Sequence, residues 1–344
     1  MNATTIQEQT RLPKDYKSAI PVRWCPGCGD YAILSSLHRA MAELNIEPHE
    51  TAVISGIGCS SRLPYYMSTY GFHSIHGRAA AIATGVKVAN PNLNVWVTTG
   101  DGDSMAIGGN HFIHAVRRNI DINIVLFNNK IYGLTKGQYS PTSDRGFISK
   151  SSPYGTVEEP FRPAELTFGA RGTFFARSLD VDVKNLTDML VEAARHKGTA
   201  VVEVLQNCVI FNDGIHSKIS DREWRADNTL LLQHGEKMIF GKEGNRGIVL
   251  EGWNLKAVTI GKDGYTLDDV LIHDATTKDN TLHMKLALMD LSNGLPVALG
   301  VIRRVEGPTY EREVERQIAE VKGRSPQNSL TQFLLNSPNV WEVK

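Results

Sequence analysis

Along residues 51–205, short runs rich in β-branched and apolar residues alternate with longer stretches of helical spacing. The runs at 51–55, 95–99, 122–127, 173–177 and 200–205 have strand length and composition. Before the first of them, residues 30–44 place Ile33, Leu34, Leu37, Met41 and Leu44 on one helical face, with Asp30 at its start. The small-residue stretch 79–89, residues 107–119 with Ile113 and Val116, then 163–170 and 183–196 supply further helices. Strands separated by helices predict an α/β fold, doubly wound around a largely parallel sheet, over residues 1–220. From about Asp221 the rhythm changes. Residues 223–281 are rich in Gly, Lys and Asp, followed by a helix at 283–291, a strand at 297–305 and a charged helix at 310–321. This predicts a smaller mixed α/β extension over 221–344, without a catalytic motif, serving packing or oligomerisation.

The strand-helix-strand unit at 95–133 brings two strand ends to one sheet edge, where open α/β sheets bind ligands. Asp101 follows the first strand and Asn129 the second, so a carboxylate and an amide oxygen meet there. Both are hard ligands suited to Mg2+, and backbone N–H groups from Gly100 to Asp103 could hold phosphates. Gly-Asp and Asn-Asn are also ordinary turn chemistry. A dinucleotide-binding turn is excluded by Met105, which stands where that fingerprint needs Gly or Ala.

Composition narrows the partners. Of 344 residues, 41% are hydrophobic, and 37 basic residues balance 37 acidic ones, so no net charge draws the chain to nucleic acid or an anionic membrane. The polar N-terminus lacks the apolar core of a signal peptide, and no apolar run approaches membrane-spanning length, so a cytoplasmic location is expected. Cysteines stand at 25, 28, 59 and 208, too few for a disulfide framework. Cys25 and Cys28 form C-x-x-C in a Pro/Gly-rich turn, while Cys59 and Cys208 each lie just beyond a strand. Four such thiolates suit a [4Fe–4S] cluster or a structural Zn2+, and spacing leaves both open.

G-D-G followed 129 − 101 = 28 positions later by N-N after an apolar strand resembles the thiamine diphosphate signature. More broadly, W-C-P-G-C-G-D, G-I-G-C-S, H-G-R-A, G-D-G-D, the N-N turn and Q-N-C resemble the β subunit of 2-oxoacid:ferredoxin oxidoreductases, over roughly residues 20–216. CSSRLPYY, YGFHSIHGRA and IYGLTKGQYSPTS look like its 2-oxoglutarate-using branch. The resemblance implies Mg2+ held by Asp101, Asn129 and the Ile131 carbonyl, and one [4Fe–4S] cluster held by Cys25, Cys28, Cys59 and Cys208. It further implies thiamine diphosphate contacts from Gly58, Ser60, His76, Gly77, Gly100, Gly102, Asp103, Gly133 and Leu134. Arg62, His76, Leu134 and Lys136 would face substrate, with Arg62 and Lys136 suited to the distal carboxylate of 2-oxoglutarate.

The implied reaction is oxidative decarboxylation, with electrons passing to ferredoxin and the acyl group to coenzyme A, giving succinyl-CoA. An α subunit would supply the aminopyrimidine half-site, in an αβ or (αβ)2 assembly. A pyruvate or broad 2-oxoacid enzyme is the nearest alternative. A redox-silent thiamine-dependent decarboxylase or carboligase with structural zinc, and a non-enzymatic subunit, are the alternatives of other classes.

Overall fold

In chain order the strands are β1 Thr51–Ser55, β2 Tyr70–His73, β3 Asn94–Gly100, β4 Asn123–Asn128, β5 Ile131–Tyr132, β6 Gln138–Tyr139, β7 Phe174–Leu179, β8 Ala200–Leu205, β9 Thr229–Leu232, β10 Ile239–Phe240, β11 Arg246–Glu251, β12 Asn254–Thr259 and β13 Val297–Arg304. The helices that matter below are α1 Asp30–Leu44, α2 Ala79–Ala89, α3 Asp101–Met105, α4 Gly109–Arg117, α5 Pro163–Gly169 and α6 Val183–Arg195. The computed structural model describes residues 10–324 and 329–343.

Eight strands form the main sheet in the order β2-β1-β3-β4-β8-β7-β13-β9. All its pairings are parallel except β13 with β7. Every residue of β1, β4, β7 and β8 is buried, which explains their nearly unbroken apolar sequences. Alternate side chains enter two cores. Val53, Trp96, Val125 and Val202 pack with Ile33, Leu37 and Met41 of α1 and Leu186 and Leu190 of α6. Ile54, Val97, Ile124 and Val201 pack on the other face with Ala83 of α2, Phe112 and Val116 of α4 and Phe168 of α5. Helices on both faces make the sheet doubly wound, as expected.

The structure departs from the sequence expectations in three places. The segment after β3 is a five-residue helix, α3, then a break at Ala106 (φ −89°, ψ −110°), then α4, where one helix over 107–119 is expected. The break has a packing cause: Gly77 approaches so closely that a Cβ on it would lie 2.4 Å from Gly108 N. Second, β2 extends the sheet beyond β1 although all four of its residues are exposed and carry no apolar run. Third, the sheet runs past residue 220. β13 covers the β7 edge and β9 pairs with β13, so strands from the expected extension complete the main sheet, while β10–β11–β12 form a separate one. Ala298 and Ile302 are fully buried in the process. Among the described residues no helix is long and apolar enough to cross a membrane.

Candidate active site

The parallel strands β1, β3, β4, β8 and β7 all end on one edge, and the chemistry-bearing residues follow them. Cys59 comes after β1, Asp101 after β3, Asn129 after β4, Cys208 after β8 and Asp180 after β7. A cavity of about 500 Å3 opens there. It is lined by Gly58, Cys59, Ser60, Arg62 and His76 from the segments after β1 and β2, by Gly100, Asp101, Gly102 and Asp103 after β3, and by Asn129, Ile131, Gly133 and Leu134 after β4. Gly77 and Lys136 do not line it. Gly77 instead donates its N–H to Asp103 Oδ1 at 2.7 Å, and Lys136 is exposed with a left-handed backbone (φ 79°).

Asp101 is 2% exposed, and its Oδ2 accepts hydrogen bonds from the Ser140 and Thr142 hydroxyls. Burial pushes its carboxyl pKa up, and those two hydroxyls and nearby backbone N–H groups work in the opposite direction. A divalent cation would reverse the balance by favouring the carboxylate. Thr142 Oγ1 also lies 3.1 Å from Asn128 Oδ1, Asn128 Nδ2 donates to Glu203 Oε1 at 2.7 Å, and Arg177 Nε donates to Glu203 Oε2 at 2.7 Å. A buried polar chain therefore backs Asp101 from beneath the sheet edge. Asn129 Oδ1 accepts from Ile131 N at 3.2 Å, which folds the turn so that amide oxygen, carboxylate and carbonyl come from adjoining strand exits. This all-oxygen donor set fits Mg2+.

Asp103 is a staple. Its second oxygen accepts from Thr99 Oγ1 at 2.8 Å, so it joins β3 to the turn before α2, and a Cβ on Gly56 would fall 1.6 Å from it. Gly102 must lack a side chain because a Cβ would meet the Tyr132 ring at 2.3 Å, and Tyr132 OH donates to the Gly102 carbonyl at 2.9 Å. Ser60 is different: its hydroxyl is buried without a partner while the residue lines the cavity. An unpaired buried hydroxyl beside the Gly100 turn fits a bound polar ligand such as a diphosphate.

The cysteines converge from three segments. The C-x-x-C turn is tied to the β1 exit by Trp24 Nε1 donating to the Cys59 carbonyl at 2.8 Å, and to the β8 exit by Gly29 N donating to the Asn207 carbonyl at 3.3 Å. Burial and Asp30 raise the Cys28 thiol, with Cys59 and Cys208 adding to the effect. Cys59 is pushed up to about 12 by burial, then by Asp30, Cys208 and Cys25. Cys28 therefore lies near Cys59 and Cys208, and Cys59 near Cys25 and Cys208. On Gly133, at the cavity wall, a Cβ would lie 3.4 Å from Cys208 Sγ. Among the described residues, no group of three or more His, Cys, Asp or Glu side chains is gathered for a single metal ion.

Several site residues escape sequence reasoning. Asp30 is expected only at a helix start, yet it lines the cavity, is buried with Oδ2 unpartnered, and is raised to about 7 by burial, against the Cys28 hydrogen bond. His73, Tyr65, Tyr66 and Tyr132 also line the cavity. Ser140 and Thr142 lie in a polar loop whose composition suggests function without saying which residue acts. Arg62 donates through Nε to Tyr66 OH at 3.1 Å and has no carboxylate partner among the described residues. Its positive charge is open to the cavity.

Residues 56–204 match the family described as thiamine pyrophosphate enzyme, C-terminal TPP binding domain. The chain is 45% identical over 337 residues to the 2-oxoglutarate oxidoreductase subunit KorB of Mycobacterium tuberculosis, covering 98% of this chain and 90% of that one. It is 47% identical over 189 residues to the 2-oxoglutarate synthase subunit KorB of Archaeoglobus fulgidus, covering 55% of this chain and 70% of the relative. A solved 2-oxoglutarate:ferredoxin oxidoreductase from Magnetococcus marinus, with 2-oxoglutarate, coenzyme A and succinyl-CoA bound, superposes with a TM-score of 0.76 at 33% identity, covering 96% of this chain and 97% of that one. With a near full-length relative, a matching fold and a strand edge carrying the thiamine signature, the chain belongs to the β subunits of the 2-oxoglutarate:ferredoxin oxidoreductases, a thiamine diphosphate-dependent family.

Proposed function

We propose that this β subunit holds the diphosphate of thiamine diphosphate through Mg2+ and carries one [4Fe–4S] cluster beside it, so that 2-oxoglutarate is decarboxylated and its electrons leave singly for ferredoxin. When bound, thiamine supplies the electron sink for decarboxylation and the cluster supplies one-electron carriage. Asp101, Asn129 and the Ile131 carbonyl hold the cation. Backbone N–H groups from Gly100 to Asp103 and the unpaired Ser60 hydroxyl receive the diphosphate. Cys25, Cys28, Cys59 and Cys208 hold the cluster as thiolates, and their protons are released on assembly. Arg62, open to the cavity, pairs with the distal carboxylate of 2-oxoglutarate. His76 and Leu134 bound the same cavity, and Lys136, exposed beside it, is a second cationic candidate. Coenzyme A receives the acyl group, in keeping with the molecules bound in the Magnetococcus marinus enzyme. An α subunit completes the active site with the aminopyrimidine half.

The observation that carries this reading is the juxtaposition of the cysteine-bearing turns, tied together at the β1 and β8 exits, with an oxygen-donor turn on one strand edge. Analysis of anaerobically prepared protein for iron, acid-labile sulfide, zinc and thiamine tests it. Iron and sulfide in the proportion of one cluster per chain are expected. Near-stoichiometric zinc without sulfide would favour a redox-silent thiamine enzyme instead.

A further inference from the structure

Gln206 directly follows β8, and only 1% of it is exposed. Its amide is fully committed. Oε1 accepts from Asn129 Nδ2 at 2.8 Å, while Nε2 donates to Cys28 Sγ at 3.4 Å and to the Asn207 carbonyl at 2.5 Å. Its backbone N–H donates to the Asn128 carbonyl at 3.0 Å, which anchors it to the strand that delivers Asn129. Next to Cys28, Gly29 leaves room for it, since a Cβ there would lie 2.9 Å from Gln206 Cγ. One buried amide thus spans from the oxygen-donor turn to the thiol turn.

We infer that Gln206 is a positioning residue that couples the two cofactor sites, fixing the Asn129 amide on one side and supplying an N–H to the Cys28 sulfur on the other. The inference rests on the function proposed above. Asn129 could present either its oxygen or its nitrogen to a cation, because the two ends of an amide have the same shape. With Nε2 engaged by sulfur and carbonyl, Gln206 offers Asn129 only an acceptor, so Asn129 must turn its nitrogen toward Gln206 and keep Oδ1 available. Outer partners of metal ligands orient them in this way. On the other side, an N–H aimed at a cluster sulfur favours the more negative, reduced state and raises the reduction potential. Because both effects pass through one rigid group, occupancy of one site is felt at the other, and reciprocally.

The test uses the full chain prepared anaerobically and two substitutions. Gln206→Glu keeps an acceptor for Asn129 but removes the donor to Cys28; Gln206→Leu removes both. EPR-monitored titration gives the cluster midpoint potential with and without Mg2+ and thiamine diphosphate, and calorimetry gives the thiamine diphosphate Kd at fixed Mg2+. In the wild type the potential should move on loading. Gln206→Glu should lower the potential and retain the wild-type Kd. Gln206→Leu should lower the potential, weaken Kd about tenfold and abolish the loading shift. If either substitution strips the cluster, the Kd pair decides: weakening by Leu but not Glu upholds the link, and equal values overturn it. Wild-type potentials and Kd in both variants would overturn the inference while leaving the proposed function intact. A wild type without iron and sulfide would sink the function and this inference with it.

Discussion

The two ends of the cofactor edge are finished to different degrees. At the β3 and β4 exits, Asp101 is already gripped by Ser140 and Thr142 and backed by Asn128, Glu203 and Arg177. At the β1 exit and the C-x-x-C turn packed against it, the thiols of Cys59 and Cys28 are raised by burial, by Asp30 and by neighbouring thiols. The difference follows from ligand chemistry. A carboxylate can be held by neutral hydroxyls, so an oxygen site keeps its shape before its ion arrives. Thiols become good ligands only as thiolates, and in this enclosure that state is reached when a metal replaces the protons. On the proposed assignment the oxygen side is therefore a prebuilt cradle, and the thiol side would be completed by what it binds.

Removing a proposed ligand on either side should give the largest effects and separate the two. Asp101→Ala should lose both Mg2+ and thiamine diphosphate, measured by calorimetry, while iron and sulfide contents stay at wild-type levels. Cys208→Ser should give the opposite pattern, with the cluster degraded or lost and thiamine diphosphate binding less affected. Loss of both cofactors from either variant would erase the distinction between the two ends.

The backing chain is probed next. Arg177 is 8% exposed and pairs with Glu203, which is 2% exposed, so Arg177→Ala leaves a buried carboxylate without its partner. A loss of about 3–5 kcal/mol in unfolding free energy is expected from urea denaturation. A change below about 1 kcal/mol would show that this chain does not brace the cradle. Arg62→Ala should raise KM for 2-oxoglutarate about tenfold, the cost of one charge-assisted hydrogen bond, with kcat less affected. An equal rise with pyruvate, which lacks a distal carboxylate, would make Arg62 a general site residue.

Acid stability tests the fold around the site and not the cofactors. His38, His196 and His216 are each lowered to about 4, chiefly by burial. Unfolded, they take up protons near pH 6.5, so between about 6.5 and 4 the unfolded chain binds more protons. The stability they allow is fully present above about pH 6.5 and is lost as pH falls toward 4. Unfolding midpoints should drop across that window, and His216→Asn should flatten the drop.

Much of this site is legible in the sequence because its signals are local. Strand exits ending in Gly-Asp, Asn-Asn and single cysteines declare themselves, and the parallel topology brings them to one edge. What is not legible depends on distant contacts. β2 is only four residues long with every side chain exposed, so no buried apolar face announces it, and nothing near Val297 announces that β13 will cover β7. The break between α3 and α4 arises where Gly77 meets Gly108, far apart in the chain. Asp30, Ser140, Thr142 and Gln206 fall inside motifs that carry the resemblance, but the motifs do not say what these side chains touch. Their roles come from hydrogen bonds reaching to Asp101, Asn129 and Cys28.

On this proposal the thiamine half-site and the cluster lie side by side in this chain and need an α subunit to act. The most direct measurement is anaerobic EPR of the chain, alone and combined with its α subunit, after adding 2-oxoglutarate and coenzyme A. A reduced-cluster signal should develop only in the combined sample, while dithionite should produce it in both. A substrate-dependent signal with full turnover from this chain alone, or no dithionite-reducible cluster in either sample, would contradict the account.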